Sequence, residues 1–177
     1  MENISYRGMN FCAKDMALAA GSTTTLTLGA AGDWCNDGKA HTQGTTTAVQ
    51  PASTDYVTGA ALVGITAGMG AVIVIGSSQT ESTTLKMVQG PLQALGANSA
   101  AYTPGSFLVA PQFPGLPEDF TAFGYVVVKV ATDYTAGAGY VFGTSNVTAT
   151  GAQNSAATAH ANTFTSVMVL PSRPVSA

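Results

Sequence analysis

Val57-Thr58-Gly59-Ala60-Ala61-Leu62-Val63-Gly64-Ile65-Thr66-Ala67-Gly68-Met69-Gly70-Ala71-Val72-Ile73-Val74-Ile75-Gly76 carries no charged side chain. It is about as long as a membrane span, so its reading decides the fold. Gly59, Gly64, Gly68, Gly70 and Gly76, with Thr58 and Thr66, make it a poor helix former. Gly68-Met69-Gly70 divides it into two short runs. The second, Ala71-Val72-Ile73-Val74-Ile75, is β-branched and ends in Gly76-Ser77-Ser78. This composition predicts a buried hairpin, strand–glycine turn–strand, and not a membrane helix.

The same chemistry extends outward in both directions. Residues 83–89, Thr-Thr-Leu-Lys-Met-Val-Gln, alternate as a half-buried strand and stop at Gly90-Pro91. Residues 121–131 give the clearest strand, with Val126-Val127-Val128-Lys129-Val130 at its heart. Shorter strands are expected at 22–28, 107–110, 140–142 and 163–170, and a polar, Thr-rich one at 39–49. Gly, Asp and Asn mark 29–38 as a loop, and 92–105 and the Ala/Thr/Ser/Asn stretch 149–161 read likewise. No stretch has the period of an amphipathic helix. The expectation is an all-β protein, a jelly-roll-like β-sandwich. Residues 1–20 would form an N-terminal arm or first strand, 21–170 the sandwich, and 171–177, with Pro171 and Pro174, a C-terminal tail.

Charge is scarce. Asp, Glu, Lys and Arg make up 8% of the 177 residues, against about 25% in ordinary soluble domains. Polarity comes instead from Thr, Ser, Asn and Gln. A chain that gives up charge repulsion is suited to life packed against other subunits. The six basic residues, Arg7, Lys14, Lys39, Lys86, Lys129 and Arg173, are scattered. No basic patch forms, so nucleic acid is not an expected partner, and neither is a membrane. The start, Met1-Glu2-Asn3-Ile4-Ser5-Tyr6-Arg7, lacks the pattern of a signal peptide. Cys12 and Cys35 are therefore expected as reduced thiols.

Few residues could carry chemistry. Asp33-Trp34-Cys35-Asn36-Asp37-Gly38 is rich in oxygen, but it lacks the carboxylate spacing of a calcium loop and no Glu follows it. Cys12, Cys35, His41 and His160 are too widely spread for structural zinc. The two histidines should face solvent or be locally hydrogen-bonded. Glu118 and Asp119 are neighbours, which on an extended chain point opposite ways, so they form a polar corner and not a catalytic pair. Residues 137–143 miss the dinucleotide spacing and lead into a strand. Nothing pairs a nucleophile with a base, so no enzyme, cofactor or metal is expected.

One segment reads as a unit: Pro111-Gln112-Phe113-Pro114-Gly115-Leu116-Pro117-Glu118-Asp119-Phe120, then Gly124-Tyr125-Val126-Val127-Val128-Lys129, then Tyr140-Val141-Phe142-Gly143-Thr144-Ser145-Asn146. With Tyr6-Arg7-Gly8-Met9-Asn10-Phe11, Gly38-Lys39-Ala40 and Pro171-Ser172-Arg173-Pro174, it resembles small bacteriophage virion proteins of the capsid decoration, or cement, type. The resemblance implies a structural protein of the capsid exterior, made in the host bacterial cytoplasm. It implies the major capsid protein as partner and a homo-oligomer, a trimer foremost. It transfers no catalytic residue. Tyr6, Arg7, Met9, Phe11, Phe113, Leu116 and Phe120 are the candidate interface residues. The alternative is a head or tail fibre module that binds a receptor or glycan. Trp34, with Asp33 and Asp37, is its candidate contact.

Overall fold

The computed structural model describes residues 10–36, 38–78, 85–148 and 155–167. Among them are strands β1 (Phe11–Cys12), β2 (Leu18–Ala20), β3 (Leu26–Leu28), β4 (Gly32–Asn36), β5 (Lys39–Gln43) and β6 (Thr46–Val49). The later strands are β7 (Met69–Ser78), β8 (Lys86–Gln89), β9 (Gln93–Ala94), β10 (Phe120–Val130) and β11 (His160–Ser166). One 3-10 turn, Ala156–Thr158, precedes β11, and no α-helix occurs among the described residues. The fold is all-β and its strand pairs are antiparallel.

The apolar strands β7 and β10 pair along most of their length and form the centre of the largest sheet. Its order is β11-β10-β7-β8, with β9 also on β7. Two three-stranded sheets, β1-β4-β5 and β2-β3-β6, pack against it. The inner face is the main core: Ile73, Ile75, Val126, Val128 and Val130 meet Leu18, Leu26, Leu28, Trp34, Tyr140 and Phe142. The outer face is smaller. Val74, Val88, Phe120 and Ala122 are covered there by Tyr56, Phe113, Leu116 and Tyr125.

A bulge lets β10 serve both faces. Its register against β7 slips between Ala122 and Gly124. Phe120 and Ala122, ahead of the slip, lie in the outer core and Phe123 in the inner one; beyond it, Val126, Val128 and Val130 point inward. An added residue reverses the side-chain parity of the strand beyond it. Gly124 is required beside it, because a Cβ there would come within 2.7 Å of Leu18 Cδ2 and 2.6 Å of the Thr165 carbonyl.

The structure departs from the expected strands in several places. The second half of the opening stretch is β7, but no strand lies in residues 57–67, so the expected hairpin does not form. Both edges of β7 are taken, one by β10 and the other by β8 and β9. Residues 57–67 instead make a loop held by single bridges, Thr54 to Ala61 and Ile65 to Tyr140. The expected loop 29–38 contains β4, because Trp34 and Asn36 both turn inward while the hairpin partner β5 satisfies its backbone. The Thr-rich strand 39–49 divides at Gly44-Thr45, and its halves join different sheets. Residues 107–110 keep one bridge, Leu95 to Phe107.

Residues 10–20 are built into the body. Met16 and Leu18 are buried, and β1 pairs with β4. Asn10 Nδ2 donates to the Phe120 carbonyl at 3.0 Å. The rest of the expected arm, 1–9, and the tail, 171–177, lie outside the described residues. Cys12 pairs opposite Trp34, and Cys35 opposite Phe11. Adjacent places in that ladder point the two thiols to opposite sides, and both are free.

Candidate functional site

An open groove of about 580 Å³ runs beside β8, on the outer side of the large sheet. Val57, Val63, Val88, Leu92, Phe113 and Pro114 supply much of its wall. Two straps build it: the loop after Asp55, and the proline-rich connection that leads into β10.

Asp55 and Gln89 fasten the first strap. Asp55 is 8% exposed. Its Oδ1 accepts the backbone N–H groups of Val57 and Thr58, each at 3.0 Å, and the Thr58 hydroxyl at 3.2 Å. Its Oδ2 accepts the Gln89 N–H at 2.8 Å. The Gln89 side chain then imitates a peptide group. Oε1 accepts the Val63 N–H at 2.8 Å and Nε2 donates to the Val63 carbonyl at 2.9 Å. The backbone of Val63 is thus tied down while its side chain stays 61% exposed.

Gln93 does the same for the second strap. Its Nε2 donates to the Ala110 carbonyl at 3.1 Å and its Oε1 accepts the Gln112 N–H at 2.7 Å. The strap passes so close to the sheet that a Cβ at Gly90 would lie 2.8 Å from the Gln112 carbonyl and 2.9 Å from that of Val72. Phe113 then sets its ring edge-to-face on Tyr125, 4.9 Å between centroids. At the far end Tyr56 donates to Asp119 at 2.5 Å, and burial and this carboxylate push the phenol pKa up.

The groove has no free charge. Asp55 is the ionisable residue of its wall, and both its oxygens are hydrogen-bonded. Residues 56–78 and 87–117, which form the rest, contain no Asp, Glu, Lys, Arg or His. Among the described residues the large apolar side chains left exposed are Val57, Val63, Leu108 and Val109, and all four lie on these two straps. Leu108 is held by its N–H on the Ala94 carbonyl, 3.2 Å away in β9. This wall can adhere to an apolar surface, and it holds no nucleophile–base pair. Among the described residues no group of three or more His, Cys, Asp or Glu could hold a metal, and no helix is long and apolar enough to cross a membrane.

The residues expected to act are placed differently. Phe120, a candidate interface residue, is 2% exposed inside the chain's own outer core, because the bulge leaves it on that face. Phe113 and Leu116 are half-buried against the same sheet, and Phe113 also lines the groove. Phe11 is half-buried in β1. Tyr6, Arg7 and Met9 lie outside the described residues. Of the candidate glycan contact, the Trp34 ring is turned into the core. Trp34 is 3% exposed, stacked on His41 at 4.2 Å and edge-on to Phe123 at 5.6 Å. Asp33, next along β4, is exposed and accepts the Thr42 hydroxyl at 2.8 Å. Asp37 lies outside the described residues.

His160 is buried at the start of β11, not in a loop. Its Nε2 lies 2.8 Å from the Asn146 carbonyl and its ring 4.3 Å from Tyr140. Asn162 Nδ2 donates to the Tyr140 hydroxyl at 2.8 Å and to the Val147 carbonyl at 3.1 Å. Burial holds the His160 pKa below the usual histidine value, against the opposing effect of the Asn146 carbonyl. This cluster is a buried brace for the turn at 146–147. Sequence reasoning missed Asp55, Gln89 and the exposed valines. The readable signal was the pair of long uncharged stretches on either side of β8. No family model, curated protein or solved structure matches this chain.

Proposed function

We propose that this chain is a bacteriophage virion protein of the decoration, or cement, type, without enzymatic activity. It sits on the outside of the capsid after synthesis in the host bacterial cytoplasm. There it binds the major capsid protein and stabilises contacts between coat subunits. The observation that carries this reading is the uncharged groove with its exposed apolar rim, a surface suited to adhesion and lacking reactive groups. The sequence resemblance in the proline corner and the strand after it points the same way. The mechanism is linkage. A protein that binds the assembled shell and not its free subunits stabilises the shell by that difference in binding. A trimer would place several such contacts on one particle, and their avidity would exceed any single affinity. The expected jelly-roll arrangement belongs to this reading too; antiparallel pairing and small sheets stacked on the large one support it.

Mixing the purified protein with empty shells and sedimenting them tests the proposal. Saturable co-sedimentation, with shells that disrupt at higher temperature, is the expected outcome. Absence of binding at micromolar concentration, with unchanged shell stability, would contradict it.

A further inference from the structure

We propose that residues 143–148 form an acid-released latch, held on β11 by the neutral ring of His160 and opened when that ring takes up a proton. The effector is the proton, and the moving part is a segment that ties the large sheet to the β2-β3-β6 sheet. Shell binding plays no part in the latch, so it stands or falls apart from the proposed function.

The latch consists of backbone carbonyls gripped by side chains. His160 and Asn162 are alternate residues of β11 and face the same side, 2% and 3% exposed. His160 Nε2 lies 2.8 Å from the Asn146 carbonyl. A carbonyl only accepts, so Nε2 carries the proton of the neutral ring. Tyr140 donates its hydroxyl to the same carbonyl at 3.1 Å, and Asn162 Nδ2 donates to the next one, that of Val147. Val147 is itself fully buried. Its N–H donates to the Thr23 carbonyl, 2.7 Å away in the turn between β2 and β3. Release of the two carbonyls therefore loosens a tie between two sheets. The Leu18 N–H on the Ser166 hydroxyl, at 2.6 Å, joins them at the far end of β11 and is left in place. Gly143, at φ +78°, gives the segment a joint at its upstream end.

Nothing around the ring compensates a positive charge. Its second nitrogen, Nδ1, is buried and has no hydrogen-bond partner among the described residues. Asn162 Oδ1, an acceptor without a donor on the same face, makes no hydrogen bond with it either. The ionisable groups that face the ring are phenols: Tyr140, 4.3 Å between centroids, and Tyr134, edge-on at 6.3 Å. Burial raises the pKa of both, so neither supplies an anion near neutrality. On β10, Lys129 pairs with Ala161, one place out of phase with His160. Beyond its end, Asp133 Oδ2 accepts the Tyr102 N–H at 2.8 Å. Residues 16–28 and 134–159 contain no Asp, Glu, Lys or Arg. The proton is therefore taken up with the ring in water and not in place, and burial already holds the ring's pKa down. The sign follows. A neutral ring keeps the latch shut above the ordinary histidine value of about 6.5, and the latch opens as pH falls from there.

Hydrogen exchange of the full chain, followed by NMR from about pH 7.5 to 5 and corrected for the intrinsic pH dependence of exchange, tests this. The Val147 N–H should exchange ahead of the β7 amides at every pH. Its opening should rise several-fold towards pH 5, with a ceiling of about thirtyfold set by an ordinary ring pKa in the open state. His160→Gln keeps an N–H donor for the Asn146 carbonyl but cannot titrate, so it should abolish the rise; His41→Gln should not. Circular dichroism checks that both variants fold. Exchange of Val147 together with β7, an opening that does not rise in acid, a rise that survives His160→Gln, or one lost in His41→Gln would each overturn the proposal. The His160 ring is titrated in the same wild-type spectra and needs no variant: a pKa at or above the ordinary value would overturn it as well.

Discussion

The two faces of the large sheet are covered in different ways. The inner face is closed by two other sheets and by the tyrosine and phenylalanine side chains of residues 134–142, and its members are almost wholly inaccessible. The outer face is closed by straps, and Phe113, Leu116 and Tyr56 on it are only half-buried. A sheet covered by sheets yields a core; a sheet covered by straps leaves a groove between them. The first arrangement holds the fold together, and the second leaves apolar side chains at the surface.

The largest test of that contrast lies in the core. Phe123→Ala, on the inner face, should cost about 3–5 kcal/mol of unfolding free energy. Phe113→Ala, on the strap, should cost about 1–2 kcal/mol, since a half-buried ring loses less apolar contact. Urea titrations of both give the comparison, and equal losses would break it. Next comes the clasp. Asp55→Ala removes acceptors from three backbone N–H groups and one hydroxyl, and should cost about 2 kcal/mol. Hydrogen exchange should quicken at Val57, Thr58 and Gln89 before it does in β7. Unchanged exchange there would show that the strap is held by other means.

His160 gives a smaller, pH-dependent effect on the inner side. Its folded pKa is depressed by burial, so the unfolded chain binds the proton more readily. Its contribution is complete above the unfolded value, about 6.5, and is lost as pH falls from there through the depressed folded value. Thermal melts from about pH 7.5 to 5 should show falling stability, and His160→Gln should flatten that part of the curve. An identical slope in the variant would remove His160 as the cause. The smallest effect concerns the thiols. Cys12 is buried and its pKa is pushed up to about 12, chiefly by desolvation, whereas Cys35 is half-buried on the other side of the ladder. Iodoacetamide on the native protein should modify Cys35 first and reach Cys12 only on unfolding; the reverse order would contradict the assigned faces.

The sequence disclosed the strands whose side chains follow a simple period. Val126 to Val130 alternate against the core, and the β-branched run Ala71 to Ile75 has no better use than a buried strand. What it concealed depends on partners. Residues 57–67 look like half a hairpin, but nothing local says that β8, β9 and β10 will take both edges of β7. In β4 the inward pair is Trp34 and Asn36, and an inward Asn, bonded to Thr121 at 3.1 Å, hides the alternation. The bulge at Phe123 defeats period counting, so Phe120 reads as an interface residue in the sequence when it is core. For the groove, the uncharged stretches were legible. Which of their valines would stay exposed was not, because exposure is decided by straps that fold over from distant parts of the chain.

If the strapped edge is an assembly surface on the outside of a shell, it must be visible there. A cryo-electron microscopy map of shells incubated with the protein decides the matter. Added density is expected on the outer surface, with the strapped groove and the exposed Val57 and Val63 turned towards coat protein. Bare shells, or bound copies whose strapped groove faces solvent, would refute the proposed function.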